Sequence, residues 1–298
     1  MLNEYMKFRE AATSGEFASL MREDYEDILL GSFADVPKPL LDLCVQVSSE
    51  KEAETYRGLK HLQDVDQLIP EGGEYPEIML GEKDTVTITN RKYGGIIAVT
   101  DEMIRYAKLG EIKRLPNLLG ESLGRKVEKG IVSVIETTAN TTASSGTLTL
   151  TRANLETVMN NYKIQTATAA DGTTVKLGLI PDTLLVPPAL EYDARRILNA
   201  VLIPGSANND PNVIQGALKI VVSHYLTSTS TWYVLKSKCA SGLIFQKVVG
   251  PPPELSTQEV SSTQAPDGSF LYDKIKYKAR MVIGAGVIDA KWAIRSTA

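Results

Sequence analysis

Ile112, Leu115, Leu119, Leu123, Val127, Ile131 and Val134 recur at three- or four-residue intervals. Side chains so spaced stack on one face of an α-helix. At a rise of about 1.5 Å per residue, a helix over 112–136 spans roughly 40 Å, the length of a whole domain. Any fold of this chain must pack along that stripe. Pro116 falls near the predicted first turn, where a missing amide is tolerated. Gly120, Gly124 and Gly130 each weaken a helix by about 1 kcal/mol but let another element approach closely. A long helix carrying glycines is expected to be a packed spine.

Ahead of the spine, Phe17, Leu20, Met21, Tyr25, Ile28 and Leu29 also keep helical spacing, with acids on the opposite face. Ser14 is the expected cap, Gly31 the expected stop, and Pro37 and Pro39 break the pattern beyond it. The segment reads as an amphipathic helix on an extended arm. Residues 56–99 read differently. A polar, acid- and glycine-rich middle (Glu71, Gly72, Gly73, Glu74, Pro76, Glu77) lies between strand-like segments. The clearest strand is Thr85–Thr89, followed beyond Gly94 and Gly95 by Ile96–Val99. Such a stretch is too polar for its own core and suits a projecting hairpin with one face in need of a partner. Thr100 opens a predicted short helix, acidic in its first turn and closed by Gly110.

Beyond the spine, 139–149 is small and polar, which places a boundary there. A helix opening at Thr151 carries Leu155, Val158, Met159 and Tyr162 inward. A strand over Thr183–Val186 then runs through Pro187 and Pro188 into a helix at Ala189–Ala200. Strands follow at Leu218–Val222, Thr231–Leu235 and Gly242–Val248. After Pro251, Pro252 and Pro253, the residues Ile275, Tyr277, Ala279, Met281 and Ile283 alternate with Lys274, Lys276, Lys278, Arg280 and Val282. That pattern predicts a long strand with one basic face, bent at Gly284–Gly286 and continued over Val287–Ile294. It is expected to return and pair with Ile96–Val99, making the first domain discontinuous. The mixture of helices and strands makes the class α+β, and 298 residues suit about two domains.

Charge sharpens this division. The net value of −4 argues against a chain that grips nucleic acid over a large basic surface. Residues 1–84 hold 19 acidic and 8 basic side chains, a balance of −11, whereas 85–298 hold 17 and 24, a balance of +7. Cys44 and Cys239 lie far apart without a metal-binding or disulfide spacing, as in a reduced compartment. No apolar run reaches a membrane span, and the first residues lack a secretory pattern, so synthesis in the cytosol is expected. The Asn140-Thr141-Thr142 sequon is read as accidental.

Tests for chemistry find none. His61 and His224 are the two histidines, and neither accompanies a nucleophile elbow or a zinc-protease helix. Gly120-Glu121-Ser122-Leu123-Gly124-Arg125-Lys126 echoes only the glycines of a phosphate loop. Gly284-Ala285-Gly286-Val287-Ile288-Asp289 has two glycines of a dinucleotide fingerprint but no room for the βαβ unit that follows it. Glu71, Glu74, Glu77, Glu82 and Asp84 could supply paired carboxylates, yet they fall in a projecting loop and miss the calcium-loop spacing. A solvated or interface face is the better reading. With aromatics at 6%, stacking platforms for nucleic acid are few. No catalytic residue, metal or cofactor is expected.

The order of these elements resembles the major capsid proteins of tailed bacteriophages, with the Hong Kong 97-type fold. It is carried by the arm, the acidic hairpin and the run Thr89-Asn90-Arg91-Lys92-Tyr93-Gly94-Gly95-Ile96-Ile97-Ala98-Val99-Thr100-Asp101-Glu102-Met103. Leu184-Leu185-Val186-Pro187-Pro188, Thr231-Trp232-Tyr233-Val234-Leu235 and the late basic strand complete it. The segment from Asn90 to Met103 is most similar to Mu-like head subunits. The resemblance implies an N-terminal arm (1–55), an extended loop (56–95), a peripheral domain (96–149 and 254–298) and an axial domain (150–253). It implies hexamers and pentamers tiling an icosahedral head around double-stranded DNA, without sequence-specific contact or a membrane. Assembly in the host cytoplasm follows, with scaffolding, portal and decoration proteins as further partners. Glu71, Glu74, Glu77, Glu82, Asp84, Arg91 and Lys92 are then expected at inter-subunit contacts. A Lys–Asn cross-link through Lys83 or Lys92 has no motif to mark it. An encapsulin-like nanocompartment shell is the alternative, and an unrelated hydrolase or binding protein the second.

Overall fold

The computed structural model describes residues 16–60, 62, 64, 68–75, 81–100, 103, 106, 109–139, 148–202, 210–239, 242–248, 254–257 and 274–297. Two helices dominate the first core: α1, Glu16–Asp35, and α2, Leu109–Thr138. The spine α2 is longer than its apolar stripe at both ends. Gly110 lies in its first turn instead of closing a separate helix, although Thr100 Oγ1 accepts the Met103 amide at 3.4 Å. The arm helix overruns Gly31 and continues to Asp35. One glycine costs a helix only about 1 kcal/mol, less than burial of Tyr25 and Leu29 returns. Ser14, the expected cap, lies outside the described residues.

Gly120, Gly124 and the proline of α2 are explained by α1 and the residue that follows it. A methyl group on Gly120 would stand 2.5 Å from the Leu29 carbonyl oxygen, and one on Gly124 would stand 2.9 Å from Val36 Cβ. Gly130 differs: nothing lies within 4 Å of the position its methyl would take. Pro116 stands inside α2, not at its start. Its ring removes the amide that would bond the Ile112 carbonyl. The Tyr25 hydroxyl donates to that carbonyl at 3.2 Å, so the arm repairs the ladder of the spine.

The strands are β1 (Val45–Ser49), β2 (Ala53–Leu59), β3 (Glu82–Thr89), β4 (Arg91–Thr100), β5 (Thr166–Thr168), β6 (Thr174–Lys176) and β7 (Thr183–Val186). They continue with β8 (Lys219–Val222), β9 (Trp232–Leu235), β10 (Leu243–Val248), β11 (Glu254–Thr257), β12 (Lys274–Val287) and β13 (Ala293–Ser296). Helices α3 (Arg152–Lys163) and α4 (Glu191–Asn199) follow, the latter entered through a 3-10 turn at Pro188–Leu190. Thr151 caps α3, its hydroxyl accepting the Asn154 amide at 3.3 Å.

The late strand does return. β12 pairs antiparallel with β4, Tyr277 opposite Ile97 and Lys278 opposite Ile96. Its other edge carries β11 and β10, and β10 pairs in parallel with β1. Inward residues Tyr277, Ala279, Met281 and Ile283 are buried with α1 and α2, and Tyr25 meets Tyr277 at 4.6 Å between ring centroids. The second sheet runs β13-β9-β7-β8. Its central strands are apolar without alternation because both faces are covered. Leu185, Tyr233 and Leu235 join the first core, while Leu184, Val186, Trp232 and Val234 pack with α3 and α4.

Sheet membership crosses the limits read from the sequence. β1 lies in the expected arm and β10 in the expected axial segment, yet both belong to the sheet of β4 and β12. The continuation of the late strand to Ile294 is corrected: β12 ends at Val287. Asp289 Oδ1 then accepts the Lys291 amide at 3.0 Å, a short 3-10 turn follows, and β13 joins the second sheet. Such partnerships join residues distant in sequence, which local periodicity does not encode.

Candidate assembly surface at the loop ribbon

β2 and β3 form an antiparallel ribbon, Ala53 opposite Thr89 and Leu59 opposite Glu82, extended by the Lys60 amide donating to the Gly81 carbonyl at 2.9 Å. The β-branched run Thr85-Val86-Thr87-Ile88-Thr89 suits it, and the Thr55 and Thr87 hydroxyls meet at 3.3 Å across the strands. Among the described residues these two strands form a sheet by themselves. A two-stranded ribbon is marginal in water without packing, so its root matters.

At the root, Ile88 is buried against Gly286, where a methyl group would stand 2.6 Å from Ile88 Cγ1. Asn90 ties the turn between β3 and β4 to the body. Its Nδ2 donates to Ser49 Oγ at 3.0 Å and to the Lys51 carbonyl at 2.8 Å, while its own amide donates to the Glu52 carbonyl at 2.8 Å. Gln246 of β10 is buried and donates from Nε2 to the Tyr56 hydroxyl of β2 at 2.6 Å. Gly284 permits this closeness, since a methyl there would stand 2.6 Å from Asn90 Oδ1. Replacing Asn90 with alanine removes both of its Nδ2 hydrogen bonds at this root, so a loss of about 1–3 kcal/mol is expected in urea unfolding. An Asn90→Ala subunit as stable as wild type would show the root to be held otherwise.

The seven expected contact residues do not form one cluster. Glu71 and Glu74 are exposed in the outer turn of the loop, where Gly72 takes φ 77°. Glu77 lies outside the described residues. Glu82 and Asp84 supply backbone to β3, and their side chains lie outside the description. Arg91 and Lys92 are exposed but lie in β4, opposite Ile283 and Val282, on the body rather than the ribbon. The loop also shows Leu68 at 91% and Tyr75 at 82% exposure, two large apolar side chains that a reading centred on charge passed over. Their signal was available as isolated hydrophobes inside an acidic, turn-rich segment.

The outward face of the first sheet has the opposite sign. Lys278 and Arg280 of β12 and Lys92 of β4 are exposed there, around an Ile96 that is 64% exposed. Glu254 of β11 pairs with Arg280 at 2.8 Å. No cluster of three or more potential metal ligands occurs among the described residues, and no described helix is long and apolar enough to cross a membrane.

The profile of the phage capsid protein family matches residues 83–296, from the ribbon's second strand to the last strand of the second sheet. The chain belongs to the phage capsid protein family. It is a major capsid protein, a structural subunit, and its family does not favour the encapsulin-like alternative. No curated protein matches its sequence. Solved structures show the fold. A chain of the virus-like particle from Pyrococcus furiosus superposes at a TM-score of 0.56 with 14% identity, covering 93% of this chain and 99% of that one. A chain of the bacteriophage JBD30 procapsid gives 0.51 and 14%, covering 96% and 76%, and one from the capsid of cyanophage P-SCSP1u gives 0.54 and 13%, covering 87% of each. The capsid subunit therefore has the Hong Kong 97-type fold.

Proposed function

We propose that this capsid subunit builds the head of a tailed double-stranded DNA phage, as hexamers and pentamers of one chain in an icosahedral shell, without catalysis of its own. The ribbon carries this reading: it leaves the body as two strands with exposed acids and exposed Leu68 and Tyr75, a surface that needs cover. Residues 1–55 serve as arm, 56–95 as extended loop, 96–149 with 254–298 as peripheral domain and 150–253 as axial domain. Kinship with Mu-like head subunits, host-cytoplasmic assembly and use of scaffolding, portal and decoration proteins belong to the same reading. Exposed Tyr192, Val201, Leu202 and Val213 are apolar side chains of the axial region available for contact between copies.

Glu71, Glu74, Glu77, Glu82 and Asp84 are proposed to lie across a neighbour's basic surface, with Lys92 on the receiving side beside Lys278 and Arg280, and Arg91, opposite Ile283, making a separate contact from the other face of the sheet. Apolar anchors supply most of the affinity of such contacts, and charge pairs set register and rate. Reversing Glu71, Glu74 and Glu77 to lysine is expected to slow assembly severalfold at low salt, and less at high salt where screening is strong. Light scattering with equal rates at every ionic strength would remove the electrostatic part. The whole reading is tested by sedimentation and negative-stain microscopy of the purified chain. Closed particles of megadalton mass are expected; monomer alone at all salts and concentrations would overturn it.

A further inference from the structure

Glu128 is the buried charge that assembly does not explain. It lies on the spine α2 and is 1% exposed. One carboxylate oxygen accepts the Leu40 amide at 3.1 Å, and the other, equally buried, has no hydrogen-bond partner. Leu40 belongs to the elbow between the arm helix α1 and β1, stiffened by Pro37 and Pro39 and followed by a 3-10 turn at Leu41–Leu43. Glu128 therefore holds the hinge of the arm. A groove of about 620 Å³ opens beside it, lined by Val36, Lys38, Asp42, Glu128, His224 and Tyr225 among others.

The groups facing the carboxyl come from each element around it. Lys38 of the elbow donates from Nζ to the Phe33 carbonyl and, at 3.0 Å, to the Val36 carbonyl, closing the end of α1, so its charge is already engaged. Asp35 ends α1, Asp42 lies in the 3-10 turn, and the Cys44 thiol donates to the Leu40 carbonyl at 3.2 Å. His224 reaches the groove from the segment after β8. Burial pushes Cys44 up, so it stays a neutral thiol, and burial pulls Lys38 down while Glu128 and Asp35 pull it back.

We propose that Glu128 is a proton-operated latch on the arm: protonated, it lets the elbow lie docked on the spine, and ionised, it loosens the elbow so that the arm can be repositioned. Desolvation penalises a buried carboxylate, and one amide bond with a distant ammonium offsets it only in part. Burial raises Glu128 from 4.5 to about 7, against the Leu40 amide and Lys38, which lower it, while Asp42 adds to the rise. An undocked, hydrated Glu128 keeps its ordinary value. The docked elbow thus binds the proton more tightly than the undocked one. Docking is strongest below pH 4.5, weakens as pH rises from 4.5 to about 7, and is constant above that. The full change in the docking equilibrium is about 300-fold. This latch acts within one subunit and stands apart from the assignment of the loop.

The test is hydrogen exchange of the elbow amides, Leu40 above all, in the full chain between pH 5 and pH 8, corrected for the intrinsic pH dependence of exchange. Wild type is expected to open about 70-fold more at pH 8 than at pH 5. Glu128→Gln is expected to remove that dependence, and His224→Asn to keep it. An unchanged dependence in Glu128→Gln overturns the latch, and so does its loss in His224→Asn, which would assign the titration to the histidine. Infrared titration of the wild-type carboxyl covers the case of a variant that does not fold. A midpoint near 7 supports the proposal, and one near 4.5 overturns it.

Discussion

Excising the outer loop should leave a folded subunit that forms no shells. The ribbon offers a clean place to cut, because the Lys60 amide already bonds the Gly81 carbonyl at 2.9 Å just beyond the Leu59–Glu82 pair. Replacing residues 61–80 with Asn-Gly closes it as a tight hairpin turn, whose twist matches that of the strands. The root contacts of Ile88, Asn90 and Gln246 stay in place, as do both cores. What is removed is the segment bearing Glu71, Glu74, Leu68 and Tyr75, none of which is buried in its own subunit. Circular dichroism is expected to show a melting temperature within a few degrees of wild type, while microscopy shows no closed particles. Normal shells from this variant would sink the proposed role of the loop.

The second large effect is expected at Gly120. A valine there would drive its Cβ to within 2.5 Å of the Leu29 carbonyl oxygen and 3.1 Å of the Phe33 amide nitrogen. Both obstacles are backbone of α1, so no side chain can swing aside and the two helices must part. Overpacking of this kind costs about 3 kcal/mol. Separation also withdraws the Tyr25 hydroxyl from the Ile112 carbonyl, which Pro116 leaves without its helical partner. Gly130→Ala is the control on the same helix. With nothing within 4 Å of the added methyl, it should stabilise the subunit by about 0.5–1 kcal/mol through helix propensity. Urea midpoints moving in opposite directions are the expected result. Equal shifts would mean that the arm does not pack on the spine as described.

These two glycines show where legibility ends. Gly120, Gly124 and Gly130 stand out alike in the sequence, and all three can be read as sites of close approach. The structure gives that role to the first two and leaves open space at the third, because α1 crosses the spine at only one end of its length. Gly31 and Pro116 carry the same lesson. As a helix stop and a helix start they follow local preference, yet the helices run through both, since tertiary burial outweighs about 1 kcal/mol of propensity and the Tyr25 hydroxyl repairs the proline gap. In the loop, clustered charges drew notice because ion pairs are easy to count. Leu68 and Tyr75 did not, because an isolated hydrophobe becomes meaningful only once nothing in the fold covers it.

By itself, the sequence determined what repeats locally. The apolar stripe of the spine, the alternation of β12 and the two-sided apolar runs of β7 and β9 all follow from one- or two-sided burial. Those patterns persist because each element must hide one or both faces whatever its neighbour is. Only the tertiary structure decided which distant partners supply the cover. It drew β1 and β10 into the sheet of β12, sent β13 to the other sheet, separated Arg91 and Lys92 from the loop acids, and sealed Glu128 under the elbow. The physical reason is the range of the forces at work. Hydrogen-bond geometry and side-chain period act over a few residues and leave a record in the chain. Desolvation of a carboxylate, or the approach of a carbonyl to a glycine, depends on segments some ninety positions apart and exists only once they meet.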